Sequence, residues 1–406
     1  MSDTRIHSLD LIRGVAILGI LLMNVMSMAG PDMSYYVPDW YGGAGFLEHG
    51  IYILQSLFVE SRFMSLFSML FGVGLVIQTD RFAARGLKPR RMIRRRLLWL
   101  LVFGLLHGFL IWGGDILTLY AISGFVVVNM TQWPVRRQII VGVVFIFVGQ
   151  LALAAALAGS VLTGKNLMEM PELPYTMAEI AALRGEWTGI GHFAENAAAY
   201  LELLAGIPLT LMWHAGGVML LGMALYRSGF FTSATAWRRA VPVALTGFVL
   251  GAGVLWLRYR LGLDSSAAYS TMSLMMIPGI LMAIGYAAIL VRLAGEGTGR
   301  GAATPGGAAT PESDAATPGA AWPLRRALEN TGRMAFTLYL SQSVIVVGLT
   351  AGLAPGLWGS FGRGTLWAGV ALLSVLQVMA AHRWHERRGQ GPMEALWRRL
   401  AFGRAR

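Results

Sequence analysis

The chain has 406 residues, of which 55% are hydrophobic and 13% are charged, with a formal net charge of +12 at pH 7. A soluble domain carries roughly 25% charged residues, so this composition indicates an integral membrane protein. The arginines cluster between apolar runs, which is typical of cytoplasmic loops and argues against nucleic-acid binding. Because the sequence contains no cysteine, disulfides, thiolate metal sites and cysteine nucleophiles are excluded.

The apolar segments are predicted to cross the membrane as helices, because an open sheet edge cannot lie in lipid. They lie at residues 11–29, 63–77, 97–112, 116–130, 139–162, 197–226, 241–257, 272–291, 334–353 and 366–381. The wider apolar stretches at 46–77 and 197–226 are too long for one straight crossing, and Glu60–Arg62 and Pro208 are the predicted breaks. The predicted fold class is an all-α integral membrane protein with about ten transmembrane helices.

Basic loops set the predicted orientation. Residues 81–96 hold seven arginines and one lysine, so this loop is predicted to be cytoplasmic. With ten crossings, both termini are cytoplasmic, and we expect a multi-pass protein of the bacterial cytoplasmic (inner) membrane. The chain divides into helices one to eight at 1–294, a flexible Gly/Ala/Pro linker at 295–323, and the last two helices with a basic tail at 324–406.

The strongest functional candidates lie in the stretch from 94 to 121. Ionisable residues inside membrane spans are rare and indicate function by default. His107 lies eleven residues past Arg96, which is about 16 Å along a helix, and histidine exchanges protons near neutral pH. The alternative is a structural histidine bonded to a neighbouring helix. Asp115 either caps the next helix or, if the chain breaks at Gly113-Gly114, orients and charges His107.

A second polar group lies near the predicted cytoplasmic ends. Asp10 and Arg13 have i,i+3 spacing and can pair on one helix face. They form either an interfacial anchor or a site for the phosphates of a nucleotide-like donor. Arg94, Arg95 and Arg96 either determine the topology or attract the same anion.

Other polar residues lie within or beside the spans. Asn24 is toward the far side of the first helix, and Glu60 and Arg62 are expected to pair at the break. His214 and Gln342 are expected to hydrogen-bond between helices. No metal-ligand spacing stands out, so no metal site is predicted.

With these motifs considered, the chain resembles the YeiB (DUF418-type) family of bacterial membrane proteins over nearly its whole length. The motifs are SLDLIRGVAILGILLMN at 8–24, WYGG at 40–43, LFSMLFGVGL at 66–75, RRRLLWLLVFGLLHGFLIWGGDILTLYA at 94–121, GRMAFTLYLSQS at 332–343 and GPMEALWRRL at 391–400. The opening helix, through Asp10, Arg13 and Gly14, is also similar to that of the transmembrane acyltransferase superfamily.

The superfamily resemblance implies transfer of an acyl group from acetyl-CoA or another acyl-CoA to an acceptor across the membrane. Acyltransferase-3 proteins carry a histidine at the end of the first helix, where this chain has Asn24, so we infer that another base is needed. His107 is assigned as the general base with Asp115 as its helper, and His49 and His214 are the alternative bases. Asn24 or Gln342 is assigned to hydrogen-bond the oxyanion. The residues assigned to bind the donor are Asp10, Arg13, Arg94, Arg95 and Arg96.

The expected function is therefore a membrane-embedded acyltransferase that passes an acyl group, acetyl as first choice, to the hydroxyl or amine of a glycan or small metabolite. The alternative is a proton-coupled transporter or exporter, with His107, Asp115 and Glu60 as a proton relay along discontinuous helices. A non-catalytic membrane partner or sensor is a third possibility. The expected partners are the lipid bilayer and the acceptor, without nucleic acid, and a homodimer is left open.

Overall fold

The computed structural model describes residues 6–40, 45–163, 174–233, 235–295 and 321–403. Within these ranges the chain forms helices and turns and contains no strand. Nearly all of the predicted linker at 295–323, and most of the WYGG motif, lie outside the described residues. The α-helices are α1 His7–Ala29, α2 Met33–Tyr36, α3 Phe46–Phe58, α4 Arg62–Ala84, α5 Pro89–Leu110, α6 Leu117–Val127, α7 Val135–Thr163, α8 Met177–Trp187, α9 Gly191–Gly206, α10 Met212–Arg227, α11 Ala236–Leu261, α12 Ser266–Ser270, α13 Met276–Leu293, α14 Ala321–Arg333, α15 Ala335–Val347, α16 Arg363–Arg388 and α17 Pro392–Phe402.

Among the described residues, eight helical stretches are long and apolar enough to cross a membrane. They are His7–Ala29, Phe46–Ala84, Val135–Ala156, Gly191–Arg227, Ala236–Leu261, Ser273–Leu293, Ala335–Leu353 and Arg363–Arg388. The other two predicted crossings lie on α5, whose first turns are rich in arginine, and on the shorter apolar stretch Leu117–Met130. The all-helical membrane fold is confirmed, whereas the count of ten and the cytoplasmic position of both termini stay predictions.

Both over-long segments are interrupted where the sequence indicates. Between α3 and α4 the chain turns at Ser61, which has a left-handed φ of 62°. The second segment widens into a π-helical turn at Ile207–Leu211, between α9 and α10. Pro208 lies in this turn and has no backbone N–H to donate, which accounts for the local change in helical geometry.

The expected ion pair between Glu60 and Arg62 is not formed. The two carboxylate oxygens of Glu60 instead accept hydrogen bonds of 2.8 Å each from Arg258 on α11, and both side chains are buried. Arg62 donates to the backbone carbonyl of Glu60. A guanidinium binds a carboxylate best as a planar fork, and Arg258 approaches from another helix with this geometry.

Helix α1 lies in the centre of the molecule and packs against α4, α14, α15 and α16. Two glycines bring α1 and α14 into backbone contact. A Cβ atom on Gly14 would overlap the carbonyl of Leu328, and one on Gly332 would overlap the carbonyl of Asp10. The end of α14 therefore lies directly beside Asp10 and Arg13.

Candidate functional site

His107 on α5 and Asp115 before α6 form a buried pair. Nδ1 of His107 lies 2.9 Å from Oδ1 of Asp115, and the side chains are 1% and 0% exposed. Because an ionised carboxylate only accepts hydrogen bonds, Nδ1 carries the hydrogen and Nε2 of the neutral ring keeps a free lone pair. Nε2 is buried and has no hydrogen-bond partner within the described ranges. The ring is therefore held in the tautomer that a general base needs.

This contact depends on the break between α5 and α6. Asn196 on α9 accepts the N–H of Gly113 and donates to the carbonyl of Gly108 at 2.7 Å. His192, also on α9, donates to the carbonyl of Ile111 at 2.9 Å. These side chains satisfy backbone groups that the broken helix leaves unpaired.

Asp115 makes both of the contacts that the sequence suggests as alternatives. Oδ2 of Asp115 accepts the N–H of Thr118 at 2.8 Å, which caps the first turn of α6, while Oδ1 holds His107. A Cβ atom on Gly104 would overlap the Thr118 hydroxyl and crowd Oδ2 of Asp115. Glycine at this position of α5 therefore lets the two helices approach closely enough for the pair to form.

A cavity of 270 Å³, here called the inner cavity, lies at the arginine-rich end of the bundle. Arg13, Arg96 and Arg333 line it. Asp10 accepts hydrogen bonds from Arg13 and Arg333 at 3.2 Å each, which sets these two guanidinium groups side by side. Most of the other lining side chains are apolar, and Tyr339 is also among them.

Of the three consecutive arginines predicted to bind the donor, only Arg96 lines this cavity. Its guanidinium lies 4.2 Å from the ring centroid of Trp397 on α17, and the Trp397 indole donates to the Arg96 carbonyl at 2.9 Å. Arg94 and Arg95 are exposed, and Arg94 bonds Asn129 at 3.3 Å. Successive residues of a helix point about 100° apart, so three consecutive arginines do not share one face.

A second cavity of 440 Å³, here called the outer cavity, lies at the opposite end of the bundle. Asn24, Asp32, Glu60 and Asp115 line it, and none of its lining residues is lysine or arginine. Nδ2 of Asn24 is buried and has no hydrogen-bond partner in the described part of the chain. The aromatic side chains of the wall are Tyr35, Tyr36, Phe63, Trp112, Trp187 and Trp358.

The pair contacts the walls of both cavities. Ile116 lines both of them, so the two cavities share this residue in their walls. The His107 ring packs on Tyr339 of the inner wall, with 5.2 Å between ring centroids, and bonds Asp115 of the outer wall. The Ile116 N–H donates to the Tyr339 hydroxyl at 3.2 Å. His107 itself lines neither cavity, but it contacts one residue of each wall.

Several predicted candidates lie away from this position. The Gln342 amide donates to the Ile17 carbonyl and to Gln377, and Gln342 lines neither cavity. His49 lies 3.5 Å from Asp39, and His214 is hydrogen-bonded to Gln150; neither histidine lines the inner or the outer cavity. Within the described ranges, no group of three or more metal-ligating side chains is placed to hold an ion.

Sequence reasoning missed Arg333, Tyr339 and Asp32. Arg333 and Tyr339 belong to the GRMAFTLYLSQS motif, but a basic residue before an apolar helix is most simply a topology marker. Asp32 follows α1 in a loop that contains no lysine or arginine. The composition of that loop is the only feature of the sequence that could have indicated Asp32 as a functional residue. Asp32 is exposed to the outer cavity, and partial desolvation by the surrounding protein raises its pKa to about 6.

The profile of the family described as "Protein of unknown function (DUF418)" matches residues 315–404. The "Uncharacterized protein YeiB" of Escherichia coli (strain K12) is 29% identical over 97% of this chain and 96% of its own. The "Uncharacterized protein YxaH" of Bacillus subtilis (strain 168) is 39% identical over 31% of this chain and 32% of its own. An "Uncharacterized 39.9 kDa protein in amylase 3'region" of Bacillus acidopullulyticus is 25% identical over 99% of this chain and 95% of its own. No solved structure matches the chain.

Proposed function

The chain belongs to the YeiB/DUF418 family, and from that premise we propose that it is a membrane acyltransferase. It moves an acyl group from a cytosolic acyl-CoA to a hydroxyl or amine acceptor across the bacterial cytoplasmic (inner) membrane. The observation that carries the proposal is the position of the buried His107–Asp115 pair, which contacts the walls of two cavities, one lined by arginines and one whose described lining residues include no lysine or arginine.

The inner cavity suits an anionic thioester donor. Arg13, Arg96 and Arg333 are at its arginine-rich end, and guanidinium groups bind phosphates with paired hydrogen bonds. The walls toward Ile116 and Tyr339 are largely apolar, as an uncharged acyl arm requires. The donor's phosphates would then stay at the cytoplasmic end while its thioester reaches the wall at Ile116.

The proposed reaction uses His107 as a base and then as an acid. Nε2 of His107 takes the proton of the acceptor hydroxyl while the acceptor oxygen attacks the thioester carbonyl. The C–S bond breaks, the C–O bond of the ester forms, and His107 returns the proton to the leaving CoA thiolate. Asp115 holds Nδ1 and stabilises the transient imidazolium. The unpartnered Nδ2 of Asn24 is a candidate donor to the oxyanion.

Thermal unfolding of the purified full-length protein in nanodiscs tests the donor site. A ligand that binds only the folded state stabilises it by about 2.7 kcal/mol at 100 times its Kd, so acetyl-CoA should raise the Tm. Arg13→Gln should reduce this rise. Arg94→Gln, which removes the same charge at an exposed position, should leave it unchanged. An equal rise in the wild type and in both variants would argue against the assigned donor site.

A transporter is the second candidate function. The two cavities share Ile116 in their walls, and π-helical turns occur at Ile207–Leu211 and Gly348–Leu353. Such interruptions resemble the discontinuous helices of transporters. Proton flux into liposomes that contain no acyl-CoA separates the two functions. Flux that depends on His107 would favour transport, whereas CoA thiol release that depends on His107 would favour acyl transfer.

A further inference from the structure

The outer cavity contains one carboxylate that has no partner among the described residues. Glu60 is neutralised by the two hydrogen bonds from Arg258. Asp115 is held by His107 and by the Thr118 N–H. Asp32 also lines this cavity, and no side chain of the described residues bonds its carboxylate.

The surroundings of Asp32 are aromatic and lack positive charge. Tyr35 and Tyr36 follow it on α2, with ring centroids 4.5 Å apart, and Trp112 and Trp358 contribute to the same wall. Aromatic faces attract cations through their quadrupole, most strongly when the site is shielded from water. None of the described residues that line the cavity is lysine or arginine, so an incoming cation meets no ammonium or guanidinium group among them.

From this arrangement we infer that the outer cavity binds a cationic hydroxyl compound, whose ammonium group lies against Asp32 and the aromatic wall. An anionic acceptor would meet carboxylates, and no lysine or arginine among the described residues of the wall. A neutral acceptor would leave the Asp32 charge uncompensated in a partly desolvated site. The cavity of 440 Å³ has room for a compound larger than the ammonium group alone.

The role of this compound as acyl acceptor rests on the proposed function. Its ammonium group stays positively charged, and the hydroxyl directed toward the His107–Asp115 pair becomes the nucleophile. The acceptor oxygen forms the new C–O bond, the thioester C–S bond breaks, and the hydroxyl proton passes through His107 to the CoA thiolate. The products are a cationic ester and free CoA.

Choline and its uncharged carbon isostere, 3,3-dimethylbutan-1-ol, are matched probes because they have nearly the same shape and differ in charge. Binding is measured by calorimetry and thermal shift on the full-length protein in nanodiscs, without any acyl-CoA. We expect choline to bind about tenfold more tightly than the isostere. Asp32→Asn should abolish this preference. Asp39→Asn, which removes a carboxylate of the same loop that does not line the cavity, should retain it.

The comparison of the two probes on the unmodified protein keeps the inference testable even if Asp32→Asn fails to fold. Choline that binds no better than the isostere, or a preference that survives Asp32→Asn, overturns the cation site. Adding acetyl-CoA separates this inference from the proposed function. Choline preference without acyl transfer from any donor rejects the acyltransferase but supports the cation site. Acyl transfer that proceeds equally to the isostere and to choline rejects the cationic acceptor but supports the acyltransferase.

Discussion

At the scale of single residues, the atom proposed to transfer the proton is Nε2 of His107. Its partner atom, Nδ1, is fixed by Asp115, and Nε2 itself is buried without a hydrogen-bond partner. A buried polar group without a partner costs free energy, so its retention needs a reason. Proton transfer to a substrate supplies such a reason.

We expect His107→Gln to lower acyl transfer by about 10²- to 10⁴-fold, the usual contribution of a general base. The Tm should change by only a few degrees, because Asp115 still caps α6 through Thr118. Turnover is measured as release of the CoA thiol, and folding by thermal unfolding. His214→Gln is the matched control, since His214 is also buried and hydrogen-bonded, but its partner Gln150 lines neither cavity, whereas Asp115 lines the outer cavity. Equal losses in both variants would contradict the assignment of the base.

Asp115→Asn tests how the histidine is oriented. The asparagine oxygen can still accept from Thr118, but its NH₂ group then faces Nδ1 of His107. The ring would carry its hydrogen on Nε2 and lose its basic lone pair there. We expect kcat to fall at least about 100-fold with little change in the KM of the acceptor. A change confined to KM would indicate that Asp115 acts in binding instead.

Asp32 should make stability depend on pH. Its pKa is raised from 3.8 to about 6 by burial, so the unfolded chain loses this proton at a lower pH than the folded protein does. Stability therefore falls as the pH rises through this window and does not recover above it. Asp32→Asn should unfold at a higher temperature than wild type at pH 7, by on the order of 1 kcal/mol in a partly hydrated site. At pH 4 the two proteins should be alike, and an unchanged difference at both values would exclude this cause.

At the scale of secondary structure, the decisive feature is the interrupted hairpin of α5 and α6. Gly113-Gly114 indicates a break in the sequence, and the structure holds it with Asn196 and His192 from α9. The break could be predicted from the glycines, because they disfavour a continuous helix. The side chains that support the break could not be predicted, because they lie about 80 residues further along the chain.

Gly104→Ala is predicted to force α5 and α6 apart. The new Cβ atom overlaps Thr118 and crowds Asp115, and such overpacking costs typically about 1–3 kcal/mol. Thermal unfolding should show this loss together with reduced acyl transfer. Gly253→Ala on α11 is the control, because no atom lies within 4 Å of the added Cβ. Since alanine favours helices, this control should be neutral or slightly stabilising.

At the scale of the whole molecule, the chain is tied together by a small number of buried polar contacts between distant segments. The Glu60–Arg258 pair joins the break between α3 and α4 to α11, and both side chains are 4% exposed. On the other side of the bundle, Asp10 links Arg13 of α1 to Arg333 of α14. These contacts hold the residues of the two cavities in place.

Glu60→Gln is predicted to destabilise the protein strongly, because it leaves the Arg258 charge buried without a counterion. Breaking a buried pair costs about 3–5 kcal/mol. Asp80→Asn is the control, since the Asp80–Arg227 pair spans 3.4 Å with Asp80 52% exposed, and surface pairs contribute about 0–1 kcal/mol. Thermal unfolding of both variants measures the difference. Similar small losses would show that water reaches the Glu60 pair.

The sequence by itself determined the membrane class, the helical fold and both broken segments, and it indicated His107 and Asp115 as candidates while leaving the role of Asp115 open. These follow from local costs: charged groups and backbone breaks are expensive in lipid, so they stand out in apolar runs. Only the tertiary structure decided that Arg258 pairs with Glu60, that Arg333 lies beside Arg13, and that two cavities meet at Ile116. Those features join residues that are hundreds of positions apart, and helix packing brings them together through close contacts such as that of Gly14 with Leu328.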